Sequence, residues 1–145
     1  MIEGIRKALE RGFEKECIAY VKYQLYSQIA QAEMAKASSE TERQILLSTS
    51  SEFARIAQEE YGHAHHYLET LDELKDSLHH LQSALEMERN DIVEYSISAT
   101  AARSAGEEKA ALIFERIQAN EENHVVGIND LLNRLQSLWL DERLN

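Results

Sequence analysis

The sequence predicts an all-α fold, a four-helix bundle, on three observations. There is no proline and there are only five glycines in 145 residues, and helix formers run from end to end. Apolar residues recur at alternating steps of three and four, the spacing of a bundle seam. Four such stretches are separated by three short polar or glycine-containing breaks.

The first segment spans about 3–36 and its stripe reads Leu9, Phe13, Glu16, Tyr20, Tyr23. The polar run Lys36–Glu40 ends it, and Ser38 or Ser39 can cap the second segment, about 40–75. There the stripe is Phe53, Ile56, Glu60, His63, Tyr67, continued at Leu74. Asp76-Ser77 can cap the third segment, 77–104, with Leu78, Leu81, Leu85, Glu88, Ile92, Tyr95, Ala99. Gly106 breaks the chain again, and the Glu107-Glu108 pair suits the start of a fourth helix, about 107–141. That helix carries Phe114, Ile117, Glu121, His124, Ile128, Leu131, Leu135, Leu138. Nothing between the segments has the composition of a linker, so one domain over 1–145 is expected.

Composition narrows the function. A net charge of −11 argues against nucleic acid and against an anionic membrane surface, both of which require basic patches. The lone Cys17 rules out an intrachain disulfide and a four-cysteine metal site. No apolar run approaches the roughly 20 residues of a membrane span, and Met1–Glu16 has no signal-peptide core. A cytoplasmic location is the expectation.

Each seam is interrupted by a glutamate where a core residue belongs, and two seams add a histidine three residues later: Glu16, Glu60-x-x-His63, Glu88 and Glu121-x-x-His124. Four unpaired carboxylates at one level of a bundle would repel one another at a cost of several kcal/mol each. Two divalent cations would balance their four negative charges. Glu and His three apart share a helix face, and one Glu from each of two helices plus Glu-x-x-His from each of the others is a carboxylate-bridged di-metal arrangement. Mixed oxygen and nitrogen donors suit iron or manganese better than calcium. The competing reading of the same spacing is a solvated polar layer in a metal-free helical interaction module.

These residues sit in motifs that resemble the rubrerythrin-like (erythrin) branch of the ferritin-like di-iron carboxylate superfamily. The motifs are Glu16-x-x-Ala19-x-x-x-Tyr23, Phe53-x-x-x-Ala57-Gln58-Glu59-Glu60-x-x-His63-Ala64, Leu81-x-x-Ala84-x-x-Met87-Glu88-x-x-Asp91 and Phe114-x-x-Ile117-x-x-x-Glu121-Glu122-x-His124. The resemblance covers the whole chain. It implies two iron ions, bridged by Glu60 and Glu121, with Glu16 and Glu88 as terminal ligands and His63 and His124 as nitrogen donors. A manganese or mixed pair would use the same ligands. Asp91 stands where the family has a further glutamate, one methylene longer, and is an additional candidate ligand. Tyr23 would hydrogen-bond a ligand carboxylate or pack as a seam aromatic. Tyr20 and Tyr95 flank the same seams. His65 and His66, off the face of His63, read as surface residues, Glu94 as a solvated or supporting one, and Cys17 as packing. With one cysteine, these 145 residues do not hold the family's four-cysteine rubredoxin-type sequence, and Met87 stands where the family has a glycine.

The implied activity is a non-haem di-iron peroxidase that reduces hydrogen peroxide, or O2, with electrons from rubredoxin or another small carrier. A ferroxidase or iron-handling protein, with Fe(II) as substrate, is the alternative. Glu16 to Glu60 is 44 residues and Glu88 to Glu121 is 33, a difference close to three helical turns. Only 25 residues join His63 to Glu88, whereas an extended climb of roughly 30 Å would alone take about nine or ten. A tight turn near Asp76-Ser77 is therefore expected between helices two and three. Either one chain folds up-down-up-down or two chains exchange hairpins; the exchanged homodimer keeps the family's ligand geometry and is the favoured expectation.

Overall fold

A computed structural model of the chain describes the backbone of residues 1–144 and side chains through Leu138. It contains four helices, α1 (Glu3–Met34), α2 (Glu40–Thr70), α3 (Ser77–Ser104) and α4 (Glu108–Leu144), and no strand among the described residues. The chain divides into two compact units, Met1–Leu74 and Lys75 onward. Each is an antiparallel helical hairpin, α1 against α2 and α3 against α4.

The caps explain where the helices stop. Ser39 Oγ accepts from the amide of Glu42 at the start of α2, and Glu42 reaches back to accept from both the amide and the hydroxyl of Ser38. This satisfies donors that the first turn leaves orphaned. Asp76 caps α3 by accepting from the His79 amide at 2.8 Å. Helix α3 ends at a left-handed Gly106, φ 80°. The Gly106 amide donates to the Arg103 carbonyl and the Glu107 amide to that of Ala102, the paired bonds of a Schellman motif.

The same motif closes α2 earlier than its apolar stripe suggests. Asp72 takes φ 59°, its amide donates to Glu69, and the Glu73 amide donates to Leu68. The helix therefore ends at Thr70, not near 75. Leu74 falls in the turn rather than on the stripe, and Leu71 occupies the buried position. The link to α3 is the short turn Leu71–Asp76. In α4 the stripe also departs from its expected course: Leu132 is buried and Leu131 is half exposed. A repeat of 3.5 drifts around a straight helix of 3.6 residues per turn, and over these turns the drift moves burial along by one residue.

The two hairpins repeat each other. Leu9, Phe13, Glu16 and Tyr23 of α1 recur at identical spacing as Leu81, Leu85, Glu88 and Tyr95 of α3. Phe53, Ile56, Glu60, His63 and Leu71 recur as Phe114, Ile117, Glu121, His124 and Leu132. In both hairpins small residues line the closest approach: Ala30, Ala57 and Ala64 in the first, Ala99 and Ala111 in the second, all buried. Gly12 serves the same end, since a Cβ there would stand 2.5 Å from the Tyr67 ring. Among the described residues Leu71, Leu85 and Leu132 are the larger apolar side chains that are buried, and the others are only partly covered.

One equivalence differs in chemistry. Ser27 and Ser50 are buried, and the Ser27 hydroxyl donates to the Ser50 carbonyl at 3.0 Å and meets its hydroxyl at 3.0 Å. The matching positions of the second hairpin are Ala99 and Ala111. Ser27→Ala alone should cost about 1 kcal/mol, the net worth of a buried hydrogen bond. Adding Ser50→Ala should recover most of that loss, because the second hairpin closes over two alanines. Urea denaturation of the single and double variants checks this, and a double variant weaker than either single one would contradict it.

Candidate metal centre

Residues separated in sequence by tens of positions meet because the hairpin seams align them. In the first hairpin α1 presents Glu16 and α2 presents Glu60 and His63. His63 Nδ1 lies 3.0 Å from Glu60 Oε2 and 3.9 Å from Glu16 Oε2. In the second, α3 presents Glu88 and α4 presents Glu121 and His124. His124 Nδ1 lies 2.7 Å from Glu121 Oε2 and 3.3 Å from Glu88 Oε2. In each triad one donor atom per residue falls within 4.8 Å of the others. The six residues expected to bind metal are thus drawn into two triads of identical composition, one per hairpin.

Burial within each triad is graded. The carboxylates are mostly covered, with side-chain exposures of 15–24%, whereas the imidazoles are more than half exposed. Glu16 and Glu60 face each other across the hairpin closely enough to share a proton, as do Glu88 and Glu121. Hydrogen bonding to Glu60, then burial, holds the Glu16 carboxyl above its usual 4.5. Hydrogen bonding to Glu121, then burial, does the same to Glu88. The partners Glu60 and Glu121 are held below 4.5, first by the hydrogen bond from that protonated carboxyl and with a further contribution from the histidine. His124 is held above its usual 6.5 by hydrogen bonds to Glu121 and Glu88. Without a cation, each pair is relieved by a proton.

The donor set of each triad could hold a transition-metal ion. Each triad offers two carboxylates and one imidazole, the mixture that suits iron or manganese and is too nitrogen-rich for calcium. In each pair one carboxyl holds its proton more tightly than usual, and a cation would relieve the same crowding.

The remaining candidates fall around these triads. Asp91 is half buried on α3, one turn beyond Glu88, and is not among the groups that converge with His124. Tyr23 packs by its ring, stacked on Phe53 at 5.9 Å and edge-on to Tyr26 at 6.0 Å. Its equivalent Tyr95 stacks on Phe114 at 6.2 Å, and Tyr20 lies 5.9 Å from Tyr61. The contacts of Tyr23 are those of a seam aromatic. Cys17 is half buried, and burial followed by the Glu16 charge pushes its thiol above 9.0, in keeping with a packing role. Glu94 is exposed. One group was missed in the sequence: His65 and His66 are exposed as expected, but they converge with Glu69 as a third set of possible ligands.

No family model matches the chain, and no curated protein sequence matches it either.

The shifts carry a sign that can be tested. Glu16 and Glu88 stabilise the metal-free fold in their protonated form, fully so below 4.5, and that contribution is lost as pH rises through their raised values. His124 acts in the same direction from 6.5 upward. Glu60 and Glu121 oppose this: their contribution is present above 4.5 and lost as pH falls through their lowered values. Metal-free protein should therefore melt highest in the mildly acidic range above 4.5 and lose stability toward neutral pH. The decline should flatten in the variant carrying Glu16→Gln and Glu88→Gln, where the raised groups cannot ionise. Melting curves across pH decide; a wild-type optimum above neutrality would contradict the assignment.

Glu121→Ala removes one carboxylate of a facing pair and the nearer acid partner of His124. It should abolish metal retention in the second triad. Metal analysis after anaerobic loading and desalting checks it, and undiminished metal would show that Glu121 is not a ligand.

Proposed function

We propose that the protein is a di-metal carboxylate oxidoreductase of the rubrerythrin-like kind. In this reading it is a peroxidase reducing hydrogen peroxide, or O2, with an external carrier such as rubredoxin as electron donor. The observation that carries the reading is the repetition of one Glu, Glu, His triad in each of two otherwise apolar hairpin seams. A single triad offers three protein donors, too few to hold a pair of ions. Two of them supply the four carboxylates and two imidazoles of the di-metal arrangement. The proposal joins them in one ferritin-like four-helix bundle, with Glu16, Glu60, His63, Glu88, Glu121 and His124 as the ligand set and Asp91 as a possible addition.

Bound iron would supply the redox chemistry, since two ions together can exchange the two electrons that convert hydrogen peroxide and two protons to two waters. The chain's own residues set the conditions. The facing carboxylates neutralise the cations and can change their hold as charge changes. The stacked pairs Tyr23–Phe53 and Tyr95–Phe114 wall each triad two turns along the seam.

In this reading the assembled form is a homodimer with exchanged hairpins. Ile18, Val21, Leu25 and Ile29 make a stripe at steps of three and four on α1 and are each about half exposed, as are Val93 and Ile97 on α3. Apolar side chains in such a row call for a partner surface, which a second hairpin would provide, from the same chain or from a second copy. No described helix is long and apolar enough to cross a membrane.

The net charge of −11 also favours a second reading, a ferroxidase for which Fe(II) is substrate. Stopped-flow mixing of iron-loaded, reduced protein with hydrogen peroxide and, separately, with O2 separates the two. Faster oxidation by peroxide is expected. Faster oxidation by O2, with continuing uptake of added Fe(II), would overturn the peroxidase in favour of the ferroxidase. Light scattering should give a solution mass near twice the chain's 16.6 kDa; a mass of one chain would overturn the exchanged dimer.

A further inference from the structure

We propose that His65, His66 and Glu69 form a second, outer binding site for a divalent transition-metal ion, which captures the ion and passes it to the Glu16, Glu60, His63 triad. The transfer role rests on the function proposed above; the outer site itself does not.

The geometry is that of an ion's donors. Glu69 Oε2 lies 3.2 Å from His66 Nδ1 and 3.6 Å from His65 Nδ1, and the three donor atoms lie within 4.8 Å of one another. Ligands on a tetrahedral ion at about 2.0–2.1 Å stand roughly 3.3 Å apart, so small rotamer adjustments would close the set. Two imidazoles and one carboxylate select zinc, iron, cobalt or nickel over calcium or magnesium.

The setting favours a cation. These residues lie at the C-terminal end of α2, where carbonyl groups carry partial negative charge, and the last turn holds no basic side chain. Among the described residues Glu69 pairs with the two imidazoles, which are themselves metal donors.

The position relative to the inner triad gives the site its role. Glu60, His63, His66 and Glu69 follow one another at steps of three along α2. Each such step turns about 60° around a helix of 3.6 residues per turn, so the row winds from the seam to the outside. Side-chain exposure follows that path: 19% at Glu60, 58% at His63 and 78% at His66. His66 and His63 line the same cavity of about 420 Å³, together with Glu16 and Tyr67. An ion held at His66 is thus one helical turn from His63, across a shared solvent space.

The internal repeat supplies a control. At the positions matching His65, His66 and Glu69, the second hairpin has Val126, Gly127 and Asp130. The hairpin therefore folds without the histidine pair, and the outer site is an addition to one repeat only.

The test uses the full chain and two probes. Zn(II) alone, titrated against a chromophoric chelator, should show one ion per chain fewer in the variant carrying His65→Ala and His66→Ala than in wild type. The far-UV circular dichroism of the two should be unchanged, since both side chains are about half exposed or more. Equal Zn(II) stoichiometry and affinity would overturn the site. Co(II), followed by its visible absorption under limiting metal, should fill the inner triad several-fold more slowly in the same variant, with the final inner occupancy preserved. Unchanged filling rates alongside a lost outer ion would overturn the transfer role. A protein whose Glu60→Ala, Glu121→Ala variant binds as much Co(II) as wild type, while the histidine variant still loses one ion, would refute the di-metal centre and the transfer together and leave the outer site standing.

Discussion

Two carboxylates facing each other across a pair of packed helices are the constraint on which this protein turns. The Glu16–Glu60 and Glu88–Glu121 pairs occupy positions that aliphatic residues would fill at lower cost. A buried like-charged pair is relieved only by a proton or a cation. In each pair the hydrogen bond between the two raises one carboxyl and lowers its partner. The histidine three residues along adds a donor that pairs with the carboxylates but, when neutral, adds no charge. The arrangement exchanges fold stability for a place where positive charge is demanded.

The rest of the structure serves that placement. Small residues bring the helices close at Ala30, Ala57, Ala64, Ala99 and Ala111, so glutamates on neighbouring helices can touch. Aromatic stacks recur two turns from each triad. Their recurrence at matching spacing shows that one hairpin design is used twice, with the difference in length taken up beyond the triads. Where the repeats differ, at Ser27 and Ser50 or at His65 and His66, the differences lie outside the shared ligand pattern.

Much of this was legible in the sequence because helical periodicity is strong in a chain without proline. Four helices and the two Glu-x-x-His pairs follow from spacing, and capping residues mark Ser38 or Ser39 and Asp76-Ser77, of which Ser39 and Asp76 are the caps. The end of α2 was not legible. Asp72 adopts the left-handed conformation usually signalled by glycine, and an apolar Leu74 beyond it mimics continuation of the stripe. The burial of Leu132 in place of Leu131 reflects the gap between a 3.5-residue pattern and a 3.6-residue helix. The outer group was missed because adjacent histidines point about 100° apart along a helix. Only the reach of Glu69, from the turn that follows, brings them together.

The proposed di-metal centre requires the two triads to act together and not as two separate sites. Electron paramagnetic resonance of the protein after anaerobic Fe(II) loading and oxidation tests it most directly. Ferric ions sharing carboxylates couple antiferromagnetically. The account predicts that the two irons held by the triads give almost no signal while metal analysis finds both present. A full-intensity signal of isolated high-spin ferric ions, abolished by Glu60→Ala together with Glu121→Ala, would contradict it.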